Sequence, residues 1–427
     1  MGGRANRWDW VTVLLIMAVV IGGLVSFGFA ADWYQFRGPT ADGQAGMARL
    51  PLTWSRTENI VWRQEIPGKG WSSPVVAQGR IYLTTAVPKG TNEDQSLRAL
   101  CLDGTTGKVL WDVEVFHQDG STAPRIHAKN SHASPTPVVD NDQLFVHFGH
   151  MGTACLDART GQRLWAQQGL RYQPVHGNGG SPVLVGQHLI YCMDGADVQQ
   201  VVALDRRTGA IAWRTPRQVR AKKPFSFCTP TLITVNGRSQ VICPGSDVVM
   251  ALDPATGKEL WRVRYDGYSV VPRPVFAHGL VFVSSGYDVP VLYAIRPDGR
   301  GDVTHTHVAW MTRKGVPRNA SPLVVGDYLY LAADDGLVSC LEARTGRLVW
   351  SERLGRAFSA SPIHAAGRLY FCDEEGVTFV LKAGNNYEEL ARNRLQERIL
   401  ASPAVDGNAL ILRTEKAVYR IAEPVQP

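Results

Sequence analysis

The chain has 427 residues, 44% of them hydrophobic, which is enough to bury a large core. That length suits two or three ordinary domains, or one closed repeat array used as a single unit. Forty-five Lys and Arg against 38 Asp and Glu leave a net charge of +7, which permits an anionic partner without requiring one.

Residues 1–30 differ from all that follows. Arg4 and Arg7 precede an uncharged run from Val11 to Ala30 that ends in small residues, Gly28 and Ala30. This is the pattern of a signal peptide with an export-peptidase site, and the small-residue end favours cleavage. The run is also long enough to span a bilayer, so an uncleaved anchor is the alternative, with membrane association only through residues 11–30. Either way the remainder is expected to be exported. No cysteine precedes Cys101, which excludes a lipid-bearing N-terminal cysteine.

Residues 31–58 read as an extension. From residue 59 to the end, eight copies of one pattern follow. Each opens with Ser, Thr or Arg before a proline (Pro74, Pro137, Pro182, Pro230, Pro274, Pro322, Pro362 and Pro403), spaced 40 to 63 residues apart. A period of this size matches one four-stranded sheet and predicts an all-β chain, an eight-bladed β-propeller of four-stranded antiparallel blades. Most copies close with Thr-Gly-x-x-x-Trp, as in Asp253-Pro254-Ala255-Thr256-Gly257 leading to Trp261. The Asp carboxylate accepts backbone N–H bonds and Gly takes the positive φ of the turn. Trp111, Trp165, Trp213, Trp261 and Trp350 recur with the period, which assigns them to packing sheet on sheet.

Three copies deviate. The first carries an insert, Ala86 to Ser96, between its second and third strands. The fifth replaces its turn with Asp298-Gly299-Arg300-Gly301-Asp302, and the seventh uses Gly384-Asn385-Asn386. The eighth supplies only three strands. Asn59-Ile60-Val61-Trp62-Arg63 carries a tryptophan without a preceding turn, and is expected to complete the last blade, closing the ring without exposed edges.

The seven cysteines form no C-x-x-C and no adjacent pair. Cys101, Cys155 and Cys340 fill the slot held by Ala203 and Ala251 in other copies, as small hydrophobes do. Cys228 and Cys243 are the one candidate bridge.

Residues 251–261 resemble the tryptophan-docking repeat of the PQQ-like, or quinoprotein-type, propellers, and the resemblance covers residues 59–422. That superfamily includes PQQ-dependent alcohol dehydrogenases and the BamB family of outer-membrane assembly factors, which are non-catalytic scaffolds. Trp33-Tyr34-Gln35-Phe36-Arg37-Gly38-Pro39 resembles the start of exported PQQ-like repeat proteins. The resemblance implies a scaffold of the periplasm or cell envelope, held at the inner membrane if the leader stays uncleaved, binding an envelope protein or an anionic ligand. Its alternative is a quinoprotein dehydrogenase using PQQ with Ca²⁺. The adjacent-cysteine disulfide of the dehydrogenases is missing, and Asp334-Asp335-Gly336 and Asp373-Glu374-Glu375-Gly376 fall where turns are expected. No cofactor is therefore expected. Nucleic acid is disfavoured by export, not by charge.

Function on such a fold sits in loops collected on one face. The segments joining each outer strand to the next inner strand (63–73, 112–133, 166–180, 214–228, 262–273, 311–320, 351–360 and 391–401) carry 21 Lys and Arg against 7 Asp and Glu. They predict one basic face around a funnel. The candidate binding residues just before inner strands are Lys69, Trp71, Asn130, His132, His176, Asn178, Phe225, Arg273, Arg318 and Asn319. His127, His132 and His176 lack metal-ligand spacing, so no metal is expected. No catalytic motif is found.

Overall fold

The computed structural model describes residues 2, 32–90 and 93–424. The expected leader, residues 1–30, lies outside the described residues apart from residue 2. Among the described residues no helix is long and apolar enough to cross a membrane.

The chain is an eight-bladed propeller of antiparallel sheets. Blade four, for example, is built from Thr231–Val235, Arg238–Gly245, Val248–Leu252 and Glu259–Arg264. The ring closes as the sequence implies. Ile60–Glu65 pairs with Ala417–Ile421, in a register running from Ile60 opposite Ile421 to Glu65 opposite Ala417. The fourth strand of blade eight is thus the first strand of the chain.

The repeat residues have a direct physical role. Each turn glycine takes a positive φ, and its face is covered by the indole of the preceding blade. A Cβ on Gly209 (φ +72) would stand 2.5 Å from the Trp165 ring, and one on Gly257 (φ +71) 2.5 Å from Trp213. The same indoles donate to carbonyls of the next blade: Trp165 Nε1 to Arg206 O at 2.9 Å and Trp213 Nε1 to Pro254 O at 3.2 Å. The turn Asp is satisfied locally, with Asp205 Oδ1 accepting from the N–H groups of Arg207 (3.0 Å) and Thr208 (2.9 Å). Cys101, Cys155 and Cys340 lie opposite Trp111, Trp165 and Trp350 across the sheet, in the slot that Ala203 and Ala251 fill opposite Trp213 and Trp261.

The deviant copies show what the pattern does. Blade five lacks the turn, so Trp261 has no such carbonyl and donates to Gln240 Oε1 at 2.8 Å instead. Gly301–Asp302 of the altered segment adds in parallel to the outer strand of blade four, making that sheet five-stranded. The insert of blade one extends a hairpin: Arg80–Lys89 and Asp94–Asp103 stay paired from Arg80 opposite Asp103 to Lys89 opposite Asp94. The candidate Cys228–Cys243 bridge does not form. All seven cysteines are free and buried, and burial raises the thiol pKa of Cys101, Cys155, Cys340 and Cys372 to about 12.

Residues 33–50 cross the end of the ring opposite the strand-joining segments. Trp33 O accepts from Val76 N, Tyr34 O from Val139 N, and His364 O from Ala45 N, at 2.8–2.9 Å. Arg37, almost fully buried, donates to Pro322 O (2.8 Å), Pro362 O (3.4 Å) and Asp42 O. The extension therefore ties blades one, two, six and seven together across the axis.

Candidate functional site

The Ser or Thr before seven of the eight prolines builds the channel wall. The N–H of Ser73 donates to Thr136 Oγ1, Thr136 N to Ser181 Oγ, and Ser181 N to Thr229 Oγ1, each at 2.9 Å. The belt resumes from Arg273 N to Ser321 Oγ (3.0 Å), Ser321 N to Ser361 Oγ (3.0 Å), Ser361 N to Ser402 Oγ (2.9 Å) and Ser402 N to Ser73 Oγ (3.1 Å). The one missing link is from Thr229 to blade five, where Arg273 has no hydroxyl to accept it.

Above this belt, all eight joining segments contribute to one cavity of about 250 Å³. Its wall includes Trp71, Asn130, His176, Phe225, Phe227, Tyr268, Val271, Asn319, Ser359 and Leu400, with Tyr287 from a turn of blade five. Rings meet edge to face around one side: His127 on His176 (centroids 5.6 Å apart), His176 on Phe225 (5.4 Å) and Phe225 on Tyr268 (5.6 Å). The Trp71 indole N–H has no hydrogen-bond partner among the described residues.

The ten candidate residues separate into four groups. Trp71, Asn130, His176, Phe225 and Asn319 meet in the mouth. Lys69 and His132 line a neighbouring surface cavity with Gly68, Ile126 and Gln95. There burial, then the Lys69 charge, lowers the His132 pKa. Asn178 and Arg273 are buried. Asn178 accepts from Tyr172 OH (3.0 Å) and bonds the His150 ring (3.1 Å). Arg273 Nε donates to Pro230 O (3.0 Å) and Thr231 Oγ1 (3.1 Å), and its Nη1 to Phe36 O of the crossing segment. Arg318 stands at the rim, its guanidinium 5.8 Å from the Tyr287 ring centroid and its Nη2 donating to Asp288 O at 3.2 Å. Sequence inspection missed Phe227, Tyr268 and Tyr287. The first two lie in the joining segments, and weighting those segments for aromatic residues would have found them.

The expected basic face is a mosaic of both signs. Turns between second and third strands open at the same end and bring carboxylates to it. Lys129 Nζ lies 2.7 Å from Glu374 Oε1 and 3.8 Å from Asp334 Oδ1. Lys223 meets Asp288 at 3.4 Å, Arg353 meets Asp335 at 3.3 Å and Arg356 meets Glu375 at 3.3 Å. Lys129 precedes blade two, whereas Asp334 and Glu374 belong to blades six and seven. This ion pair spans the mouth. Burial raises the Asp334 pKa, opposed by the Arg318 N–H and by Lys129. Among the described residues no group of three His, Cys, Asp or Glu could hold a metal ion.

A family model described as "Outer membrane protein assembly factor BamB" matches residues 52–193, 197–336, 245–386 and 334–423. The chain is 24% identical over 318 residues to a polyvinylalcohol dehydrogenase of Pseudomonas sp, covering 60% of this chain and 46% of that enzyme. This chain spans less than half the length of the curated relatives it matches. Among solved structures, BamB from Moraxella catarrhalis superposes with a TM-score of 0.61 at 15% identity, covering 86% of this chain and 98% of that one. Quinohemoprotein alcohol dehydrogenase from Comamonas testosteroni does so with a TM-score of 0.63 at 12% identity, covering 93% and 81%. At these identities the likeness is one of fold.

Proposed function

The chain belongs to the family of the outer membrane protein assembly factor BamB, and on that premise we propose that it is an exported, non-catalytic scaffold. Its loop face holds a protein, or an anionic component, of the cell envelope. One observation carries this reading: every blade contributes a residue to a single aromatic-lined mouth. Buried aromatic side chains in a pocket, ringed by polar groups, are the usual anchors of a protein interface. The ion-paired rim argues for partner selection by matched charge rather than for general attraction of anions.

A second reading, a quinone-dependent dehydrogenase, draws support from the dehydrogenase relative and the shared fold. The donor set does not fit PQQ with Ca²⁺. Asp334 and Glu374, the carboxylates that reach across the mouth, already share the Lys129 ammonium, and the sequence has no pair of adjacent cysteines.

Site-specific photocrosslinking tests the proposal. A crosslinker at Tyr268 should trap a discrete envelope partner that one at Gly237, in the turn at the opposite end, does not, and Phe225→Ala should abolish the product. Equal capture at both ends would sink the scaffold reading. Quinone absorbance retained through gel filtration after adding PQQ and Ca²⁺ would favour the dehydrogenase instead.

A further inference from the structure

Below the aromatic mouth the channel narrows to a chamber of about 100 Å³. Its wall is made by the hydroxyl belt: Ser73, Thr136, Ser181, Thr229, Ser361 and Ser402 all line it, and Phe36 of the crossing segment forms its floor. The belt has a polarity. Each of these hydroxyl oxygens except that of Ser73 accepts an N–H from the blade before it, and Ser73 accepts the one from Ser402 that closes the ring. A hydroxyl whose oxygen is engaged in this way keeps one proton to donate. Ser361 gives its proton to Ser321 Oγ at 3.1 Å. The hydroxyls of Ser73, Thr136, Ser181, Thr229 and Ser402 have no acceptor among the described residues. Five O–H donors therefore line one small chamber.

The buried charge around the chamber is mainly positive. Four arginines are almost fully buried in the inner part of the ring: Arg37, Arg217, Arg273 and Arg413. Arg217 is balanced by Asp194, which it meets through two bonds of 2.7 and 2.8 Å. Arg37, Arg273 and Arg413 have no carboxylate in ion-pair contact among the described residues and donate mainly to backbone carbonyls; the Asp42 carboxylate acts on Arg37 and Arg273 only through space and only partly offsets their charge. Arg413 Nη1 reaches Ser72 O and Thr84 O, both at 2.9 Å, beside the belt residue Ser73. Arg273 bonds Phe36 O directly under the chamber floor. Burial lowers their pKa values, to about 10 for Arg37 and about 9 for Arg273 and Arg413, so all three keep their charge at neutral pH. Buried charge without a counter-charge is costly, and an anion nearby offsets that cost.

We propose that the chamber is a binding site for one oxyanion group, such as a phosphate, sulfate or carboxylate. Its oxygens accept from the five hydroxyls, and its charge is balanced by the field of Arg37, Arg273 and Arg413. Hydrogen bonds from a neutral donor to an ionised acceptor are stronger than neutral pairs, so a ring of hydroxyls suffices without a cation in direct contact. Trp71, Ser134, Gly179, Phe227, Val271, Asn319, Ser359 and Leu400 border both chamber and mouth, so the group enters from the aromatic side. It arrives either as a free ion or as the end of a larger molecule whose body lies against the rings. The chamber lies below the proposed docking surface and opens through it, but the proposal does not rest on which partner docks there.

Titration of the purified full chain with inorganic phosphate and with phenyl phosphate, followed by calorimetry and by ³¹P line broadening, tests this. We expect saturable binding at one site. Tighter binding of phenyl phosphate identifies a ligand with a body in the mouth, and equal binding identifies a free ion. Thr136→Val removes one donor and should weaken binding about tenfold, as loss of a single hydrogen bond to a charged group does. Because that change also strands the Ser73 N–H, Leu400→Trp provides a second variant. It narrows the passage, leaves every donor in place and should abolish binding. Absence of saturable binding to the wild-type chain, or unchanged affinity in Leu400→Trp, overturns the proposal.

Discussion

The backbone N–H of Ser402 donates to the hydroxyl of Ser73 at 3.1 Å, joining blade eight to blade one on the inside of the ring. On the outside the same two ends of the chain are joined by Ile60–Glu65 pairing with Ala417–Ile421. The ring is thus closed twice, once by a full strand and once by a side chain. Ser73→Ala leaves the Ser402 N–H buried without an acceptor. It should cost about 1–3 kcal/mol in urea unfolding, whereas Ser73→Thr, which keeps the hydroxyl, should cost less.

The turn glycines separate two effects. Gly237→Ala meets no atom within 4 Å and should cost only its positive φ, about 1–2 kcal/mol. Gly209→Ala, at nearly the same φ, also drives a methyl into Trp165 at 2.5 Å. Overpacking adds about 1–3 kcal/mol, so Gly209→Ala should be the more destabilising of the two in denaturant titration.

His147 and His150 give a pH dependence. Burial is the main cause that lowers their pKa values, to about 3 and about 4. The unfolded chain takes up these protons near pH 6.5, the folded chain only well below that. Stability from this source is complete above pH 6.5 and falls as pH drops towards 4. His150→Gln should flatten the slope of unfolding free energy between pH 6.5 and 4. An unchanged slope would show that His150 titrates normally.

The lysine that spans the mouth can be removed. Lys129→Met unlinks the segment before blade two from Glu374 and Asp334. Hydrogen exchange at residues 126–130 should quicken while the blade strands keep their protection, because local opening free energies follow local contacts.

The thiols supply a simple check on packing. All seven are buried and free, so a thiol reagent should label none in the native state and seven after denaturation. Fewer than seven would reveal a disulfide.

Much of the ring was legible because its code is local and periodic. Asp, Thr and Gly build each turn from within five residues, and Trp165 or Trp213 needs only the next blade's turn to dock on. The serine or threonine before seven of the eight prolines was visible too, but its purpose was not. A hydroxyl accepting an N–H from a residue 40 or more positions away, as Ser402 does from Ser361, leaves no trace in local spacing.

The site shows the same division. Trp71, Phe225 and Asn319 were found because each stands just before an inner strand, where the ring aims the chain at the axis. Arg273 stands in the same place and is buried, because residues 33–50 return beneath the ring and offer it the carbonyl of Phe36. The rim was legible only in part: the joining segments carry the cations, but the intervening turns bring Asp334, Glu374 and Asp288 to the same end. By itself the amino-acid sequence determined the blade, the number of blades and how the ring closes, since short-range turn chemistry and hydrophobic period dictate these. Only the tertiary structure decided which polar groups face each other across the axis, because those pairs join residues hundreds of positions apart and depend on the ring being closed.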